Sequence, residues 1–253
     1  MGWIAGTLKD VEKIDNWFVV DIGFSNSSKS CGVVTVENGE EPKGLTDEDG
    51  NIFYGALITK FQNFALGKSK IGLIIEAPLS VAFNNTPKKV KHGNPIGRMG
   101  VEQEEENNLE NEKNEKSNRY WYVGAGATVS LATMNFLHQL KNLPHHEIDI
   151  HLFEGFVSFK SETSKEQKKS KKPKQPHWAD ARDLYYAIKS VQDSAEESKT
   201  LSILNDKQNA DLIFIGNYLD ISIEGNIPLV IKVSGVRREN PSYSFHEFQQ
   251  KLD

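Results

Sequence analysis

Hydrophobic and polar positions divide the chain into short apolar runs separated by polar segments. Residues 17–21 and 31–36 are two such runs, joined by a turn rich in Ser, Asn and Gly, and they predict a strand hairpin. An Asp-Gly turn signal further along predicts a short strand around residues 52–54. Residues 71–75 are continuously apolar, which is typical of a central strand that is buried on both faces.

Apolar residues at helical spacing predict three helices, the first of which ends at Gly67. The second follows a Gly-rich stretch at 123–127, and the third follows a Lys-rich segment. The positions expected to face the core are Leu57, Phe61, Phe64 and Ala65 in the first helix, Leu131, Met134, Leu137 and Leu140 in the second, and Leu184, Ile188 and Val191 in the third.

The order of these elements, with a hairpin first and alternating helices and strands later, predicts one α/β domain. Its sheet should be mixed, with helices on both faces. Two polar segments, residues 84–118 and 160–176, are expected to be exposed insertions. The apolar runs after residue 200 are expected to add a hairpin or edge strands, as a C-terminal extension over 200–253.

Charge is distributed unevenly along the 253 residues, although the net charge is only −5. Residues 102–116 carry seven Glu and two Lys, whereas residues 160–174 carry seven Lys and two Glu. The total therefore hides a local basic stretch. Its lysines are candidates for contacts with nucleic-acid phosphates, with a solvated linker as the alternative. The candidate positions are Lys168, Lys169, Lys171 and Lys172.

The single cysteine, Cys31, excludes an internal disulfide and is expected to be packed in a strand and unreactive. The first residues lack the basic-then-apolar pattern of a signal peptide. No apolar run reaches the roughly 18 residues that a membrane span requires. A soluble cytoplasmic protein without a membrane partner is therefore the expectation.

Four acidic residues lie where strands end and a helix begins. Asp21 closes the first strand, Glu76 closes the central strand, and Asp180 and Asp183 share a face near the start of the last helix. If the first and central strands are parallel neighbours, their ends would bring Asp21 and Glu76 together. Taken singly, these acids could also start a turn or favour the positive end of a helix dipole.

Carboxylates held together repel each other unless a cation joins them. Oxygen ligands of this kind suit Mg²⁺ or Mn²⁺. Two such ions, roughly 4 Å apart, can activate water and stabilise the leaving oxygen in phosphodiester cleavage. The sequence therefore points to a metal site at one edge of the sheet.

Three segments together resemble the motifs of the ribonuclease H-like superfamily, and most closely those of its Holliday-junction resolvase (RuvC-like) branch. The segments are VVDIGFSNSSKSCGVV, LIIEAPLS and HWADARDLYYAI. The matching positions are Asp21 and Gly23 in the first motif, Glu76 in the second, and His177, Asp180 and Asp183 in the third.

The resemblance implies a ribonuclease H-like fold and metal-dependent hydrolysis of nucleic acid. It implies that Asp21, Glu76 and Asp183 bind the metal ions, with Asp180 as a fourth ligand. His177 would position or activate the water. Glu154 lies in a strand where related nucleases carry a Glu, so it is either a further ligand or a surface-facing residue.

Two other functions stay open. A non-catalytic binding module could retain the fold, and the convergence of the acids would discriminate it from an enzyme. An actin-like or sugar-kinase-like ATPase shares Asp21, Gly23 and Ser25, but such proteins need an acid before a second Gly loop, where this chain has Tyr122. The preference for DNA or RNA, and the presence of a homodimer or larger complex, are also open.

Overall fold

A computed structural model of the chain describes residues 2–23, 25, 27–44, 51–77, 79–84, 125–143, 147–159, 177–193, 208–212, 223–224, 228–235 and 241–246. The acidic segment after residue 84 lies outside these residues, as do the lysines predicted to contact phosphates and the Tyr122 position. These lysines are Lys168, Lys169, Lys171 and Lys172.

The described residues form strands, helices and one 3₁₀ turn. The strands are β1 (Gly2–Ala5), β2 (Trp17–Asp21), β3 (Cys31–Val36), β4 (Asn51–Ile52), β5 (Lys70–Glu76), β6 (Ser80–Asn84), β7 (Asp149–Phe159), β8 (Gln208–Leu212), β9 (Ile223–Glu224), β10 (Val230–Gly235) and β11 (Ser242–His246). The helices are α1 (Leu8–Val11), α2 (Leu57–Ala65), α3 (Ala125–Lys141) and α4 (His177–Asp193), with a 3₁₀ turn at Tyr54–Ala56.

One mixed sheet forms the centre of the fold, in the order β11-β10-β7-β5-β2-β3-β4. Strands β2, β5, β7 and β10 are parallel, whereas the β2–β3, β3–β4 and β10–β11 pairs are antiparallel. The predicted α/β class with a mixed sheet is therefore confirmed. The predicted bounds of the first hairpin, 17–21 and 31–36, are also confirmed.

Strand β7 is long enough to pair with two strands in series along one side. Strand β1 pairs in parallel with residues 149–152, and β10 pairs in parallel with residues 154–159. The Leu229 N–H donates to the Gly6 carbonyl over 2.8 Å, which links the end of β1 to the start of β10. Thus β10 lies inside the sheet, with β11 at its edge, while β8 pairs with β6 in a separate two-stranded sheet.

Helices α2 and α3 cover one face of the sheet. Phe18 of β2 packs against Phe61 of α2 with 5.1 Å between ring centroids, and Phe61 contacts Phe136 of α3 at 6.3 Å. The apolar positions predicted for α2 are all buried. Gly67 follows this helix with a φ of 74°, a left-handed conformation that glycine adopts without strain.

The buried face of α3 differs from the prediction. Leu131 is 63% exposed, and the buried apolar residues are Ala132, Phe136, Leu137 and Leu140. The large Phe136 ring docks on α2, and a residue five positions earlier lies roughly 140° around the helix from it. Leu131 therefore faces solvent and the smaller Ala132 takes its place in the core.

Helices α1 and α4 cover the opposite face. Trp17 of β2 and Phe153 of β7 contact each other there, with 5.3 Å between ring centroids. The predicted stripe of α4, comprising Leu184, Ile188 and Val191, packs onto them. Because side chains alternate along a strand, Asp21 points to this same face as Trp17. None of the helices in the described ranges is both long enough and apolar enough to cross a membrane.

Candidate metal centre

Two buried carboxyl groups end neighbouring parallel strands. In the register of β2 and β5, Asp21 is paired with Glu76, and each is the last residue of its strand. Asp21 is 7% exposed and Glu76 is 9% exposed. Parallel strands present their C-terminal ends at one edge of the sheet, so the two acids meet there, as the sequence predicts.

The first turn of α4 lies directly on this edge because β3 has no side chain at Gly32. Gly32 of β3 is paired with Asp21, and a Cβ atom at Gly32 would overlap the backbone of His177. Only glycine leaves this space. The start of α4 is also held by β4, since the Asn51 Oδ1 atom accepts the Trp178 N–H over 3.2 Å.

Asp180, one turn into α4, completes the acidic group. One carboxylate oxygen each from Asp21, Glu76 and Asp180 lies within 4.8 Å of the other two. Asp180 is half-buried, whereas the other two acids are buried. An acidic group of this geometry could hold a metal ion, because a cation offsets the repulsion among buried carboxylates.

The carboxyl group of Glu76 has a strongly perturbed pKa. Burial, the neighbouring carboxylates of Asp21 and Asp180, and a hydrogen bond with Asp21 raise the pKa of Glu76 well above its usual value of 4.5. The Val157 N–H of β7 donates to Glu76 Oε1 over 3.3 Å and opposes this rise. In the metal-free protein Glu76 therefore keeps its proton at a pH where an exposed Glu would lose it.

His177 contacts the site through Asp21. Its Nδ1 atom lies 2.6 Å from Asp21 Oδ2, which is the distance of a strong hydrogen bond to a carboxylate. An ionised carboxylate only accepts, so Nδ1–H donates. The structure thus brings together Asp21, Glu76, Asp180 and His177, four of the residues that the sequence analysis assigned to the site.

Asp183 is not part of this group, although it is predicted as a metal ligand ahead of Asp180. Its Oδ1 atom accepts from Arg182 Nη2 at 2.9 Å and from Arg182 Nε at 3.1 Å. Three residues along a helix correspond to roughly 300°, so Asp183 points about 60° away from Asp180. Asp180, rather than Asp183, is the helix residue that faces Asp21 and Glu76.

Glu154 also lies apart from the group. It is buried in β7 beside Ile75, whose side chain belongs to the core under α2 and α3. Neighbouring residues in register share a face of the sheet. The Glu154 side chain therefore points away from the face that carries Asp21 and Glu76.

The buried Cys31 supports no nucleophilic role. Its Sγ lies 3.4 Å from the Gly23 carbonyl, and burial raises the pKa of the thiol to about 11. The reactive thiolate is consequently scarce at neutral pH. The prediction that Cys31 is packed in β3 is confirmed.

Two residues that shape the site were not identified from sequence. Gly32 carries no predicted role, and Asn51 lies in a segment predicted only as a turn and short strand. Asn51 and Trp178 are 127 positions apart, and their contact depends on the pairing of β3 with β4. For Gly32 the available signal is a glycine inside a strand, which often marks a close backbone approach.

Comparisons with protein-family models, with curated proteins and with solved structures found no match for this chain.

Proposed function

We propose that this chain is a metal-dependent nuclease of the ribonuclease H-like superfamily that hydrolyses phosphodiester bonds of nucleic acid. The observation that carries the proposal is the convergence of Asp21, Glu76 and Asp180 within 4.8 Å at one edge of the sheet. Had these acids been dispersed, a binding module would have been the better hypothesis. Their convergence favours the enzyme.

The order and direction of the elements add support for this superfamily. A hairpin of β2 and β3 carries the first acid at the end of β2, and β5 lies parallel beside β2 with its acid in register. The third acid comes from a helix packed on the same face. This is the arrangement that the resemblance of the three motifs implies, with Asp180 in the place expected for Asp183.

The donor set suits Mg²⁺ or Mn²⁺, because it consists of carboxylate oxygens. Asp21, Glu76 and Asp180 would hold the metal. A bound divalent ion would supply an activated water and stabilise the leaving oxygen, and two ions can share these tasks. The His177 imidazole orients Asp21 and lies beside the site, where it can help to position the attacking water.

Nucleic acid is the proposed substrate because it is the phosphodiester polymer on which the resembled superfamily acts. The Lys-rich segment immediately precedes α4 in sequence, and lysines can neutralise the phosphates of such a substrate. Lys168, Lys169, Lys171 and Lys172 are the proposed contributors. The chain as a whole carries a net charge of −5, so the positive charge of these lysines is a local feature of the sequence.

The proposal is tested by incubating the protein with single-stranded, duplex, hybrid and branched DNA or RNA, with Mg²⁺, Mn²⁺ or EDTA. We expect metal-dependent cleavage of at least one substrate, and its loss in Asp21→Asn. Asp15→Asn is a matched control, since Asp15 is exposed and lies near the other end of β2. No cleavage of any substrate would contradict the proposal, and metal binding without cleavage would favour the binding module.

A further inference from the structure

We propose that Asn51 is a positioning residue of this site, which fixes the first turn of α4 so that His177 and Asp180 face Asp21. The inference rests on the proposed function for its metal-binding readout. Asn51 lies outside the three acidic motifs, and its role would be to hold α4, the helix that carries the third motif.

Asn51 is suited to this task by its own rigid position. It belongs to β4, is paired with Gly32 of β3, and is only 8% exposed. Gly32 is in turn paired with Asp21 of β2. The Asn51 backbone is therefore fixed relative to the strand that carries the first acid of the site, and its side chain is buried.

The hydrogen bond from α4 to Asn51 satisfies a group that the helix itself cannot satisfy. The first N–H groups of an α-helix have no carbonyl within the helix to bond, and a side-chain oxygen commonly accepts one of them. Here the Trp178 N–H donates to Asn51 Oδ1 over 3.2 Å. The acceptor comes from a strand of the sheet, so the bond fixes the helix to the sheet as well as capping it.

The anchored residue lies between the two site residues of the helix. His177 precedes Trp178 and reaches Asp21 over 2.6 Å, and Asp180 follows two residues later. Terminal turns of helices fray when their N–H groups lose their acceptors. Without the Asn51 acceptor, we expect the turn that carries both His177 and Asp180 to be less well defined.

Ser30 offers a matched comparison, because it directly precedes β3, the strand that pairs with β4. Its buried Oγ accepts the Tyr54 N–H over 3.0 Å, so it also joins a side chain to the backbone across this part of the sheet. That bond holds the segment after β4 and does not reach α4. Ser30→Ala should therefore loosen the segment after β4 without releasing the first turn of α4.

The experiment compares wild type with Asn51→Leu, Asn51→Asp and Ser30→Ala. The first readout is the His177 ring Nδ1–H resonance in metal-free, ¹⁵N-histidine-labelled protein, assigned with His177→Gln. The second is the Mn²⁺ dissociation constant, measured by calorimetry. We expect Asn51→Leu to lose or broaden the resonance and to weaken Mn²⁺ binding about 10-fold or more, the usual cost of losing a group that supports metal ligands.

Asn51→Asp keeps an oxygen acceptor and should retain both the resonance and the Mn²⁺ affinity, as should Ser30→Ala. If Leu at this position prevents folding, Asn51→Ala removes the same acceptor without bulk and carries the same expectation. An unchanged resonance in the acceptor-free variant would overturn the inference, and so would an equal effect of Ser30→Ala. If wild type binds no Mn²⁺, the proposed function fails, whereas the metal-free resonance still decides the role of Asn51.

Discussion

Asp21 and Glu76 are directly paired across two parallel strands, so that two buried carboxyl groups end neighbouring strands at the same edge of the sheet. Such a pair is unfavourable when both groups are charged. The metal-free protein relieves the repulsion by keeping a proton on Glu76, and a bound cation would relieve it by neutralising both acids.

Glu76→Gln should stabilise the metal-free protein at neutral pH and abolish metal binding. The folded pKa of Glu76 lies above its usual value of 4.5, so the native state binds the extra proton. Stability from this group is therefore complete below about pH 4.5 and declines as the pH rises toward the folded pKa. Urea unfolding in EDTA at pH 4 and pH 8 should show a smaller decline in Glu76→Gln than in wild type.

The control for this substitution is Glu147→Gln, because Glu147 is exposed in the described chain. Its pH dependence should match that of wild type. If Glu76→Gln were less stable than wild type at neutral pH in EDTA, with Glu147→Gln unchanged, the account of a protonated Glu76 would be wrong.

Asp180→Asn and Asp183→Asn should differ, although the two residues lie three apart on one helix. Asp180 faces Asp21 and Glu76, so we expect Asp180→Asn to weaken Mn²⁺ binding by at least ~10-fold, as a lost ligand should cost no less than a lost supporting group. Asp183 is held by Arg182, so Asp183→Asn should retain Mn²⁺ binding and lower the free energy of unfolding by ~1–3 kcal/mol. Titration calorimetry and urea unfolding measure the two effects. A reversed order of Mn²⁺ affinities would support Asp183, and not Asp180, as the metal ligand on α4.

Gly32→Ala should displace the start of α4 and thereby reduce metal binding. The added Cβ would overlap the His177 backbone, and overpacking of this kind costs about 1–3 kcal/mol. Gly39→Ala is a useful comparison, because its Cβ would meet no atom within 4 Å although its φ is 69°. Both variants should lose stability, but only Gly32→Ala should lose Mn²⁺ affinity. Equal Mn²⁺ affinities would argue against the close contact of β3 with α4.

His151 should make the protein less stable as the pH falls below about 6.5. Burial in β7 and the nearby Lys70 lower the pKa of His151, and the carboxylates of Asp10, at 3.7 Å, and Asp149 oppose this only in part. The unfolded chain then binds more protons than the native state, so the free energy of unfolding decreases with falling pH. His151→Gln should reduce this slope between pH 5 and 7, whereas His138→Gln, at an exposed position of α3, should not.

Much of the fold could be predicted from local patterns. The strand that ends in Asp21 and the one that ends in Glu76 are strongly apolar runs, and their ends are marked by the acids themselves. The stripe of α4 was also predicted, because Leu184 and Ile188 repeat at helical spacing. These features depend on neighbouring residues, which sequence periodicity records well.

What could not be predicted depends on contacts between distant segments. Strand β1 is only four residues long and exists because β7 and β9 pair with it. Leu131 was expected in the core, but the docking of Phe136 on α2 sets the rotation of α3. The choice between Asp180 and Asp183 likewise depends on how α4 is anchored by Asn51, which lies far away in sequence.

A crystal structure of the protein soaked with Mn²⁺, with anomalous data collected to locate the ion, tests most directly whether these acids bind a metal. We expect an anomalous peak among the carboxylates of Asp21, Glu76 and Asp180, within coordination distance of one oxygen of each. A soaked crystal of Asp21→Asn should lack it. The absence of a peak at these three carboxylates in wild type, at saturating Mn²⁺, would contradict the assignment of this site as a metal centre.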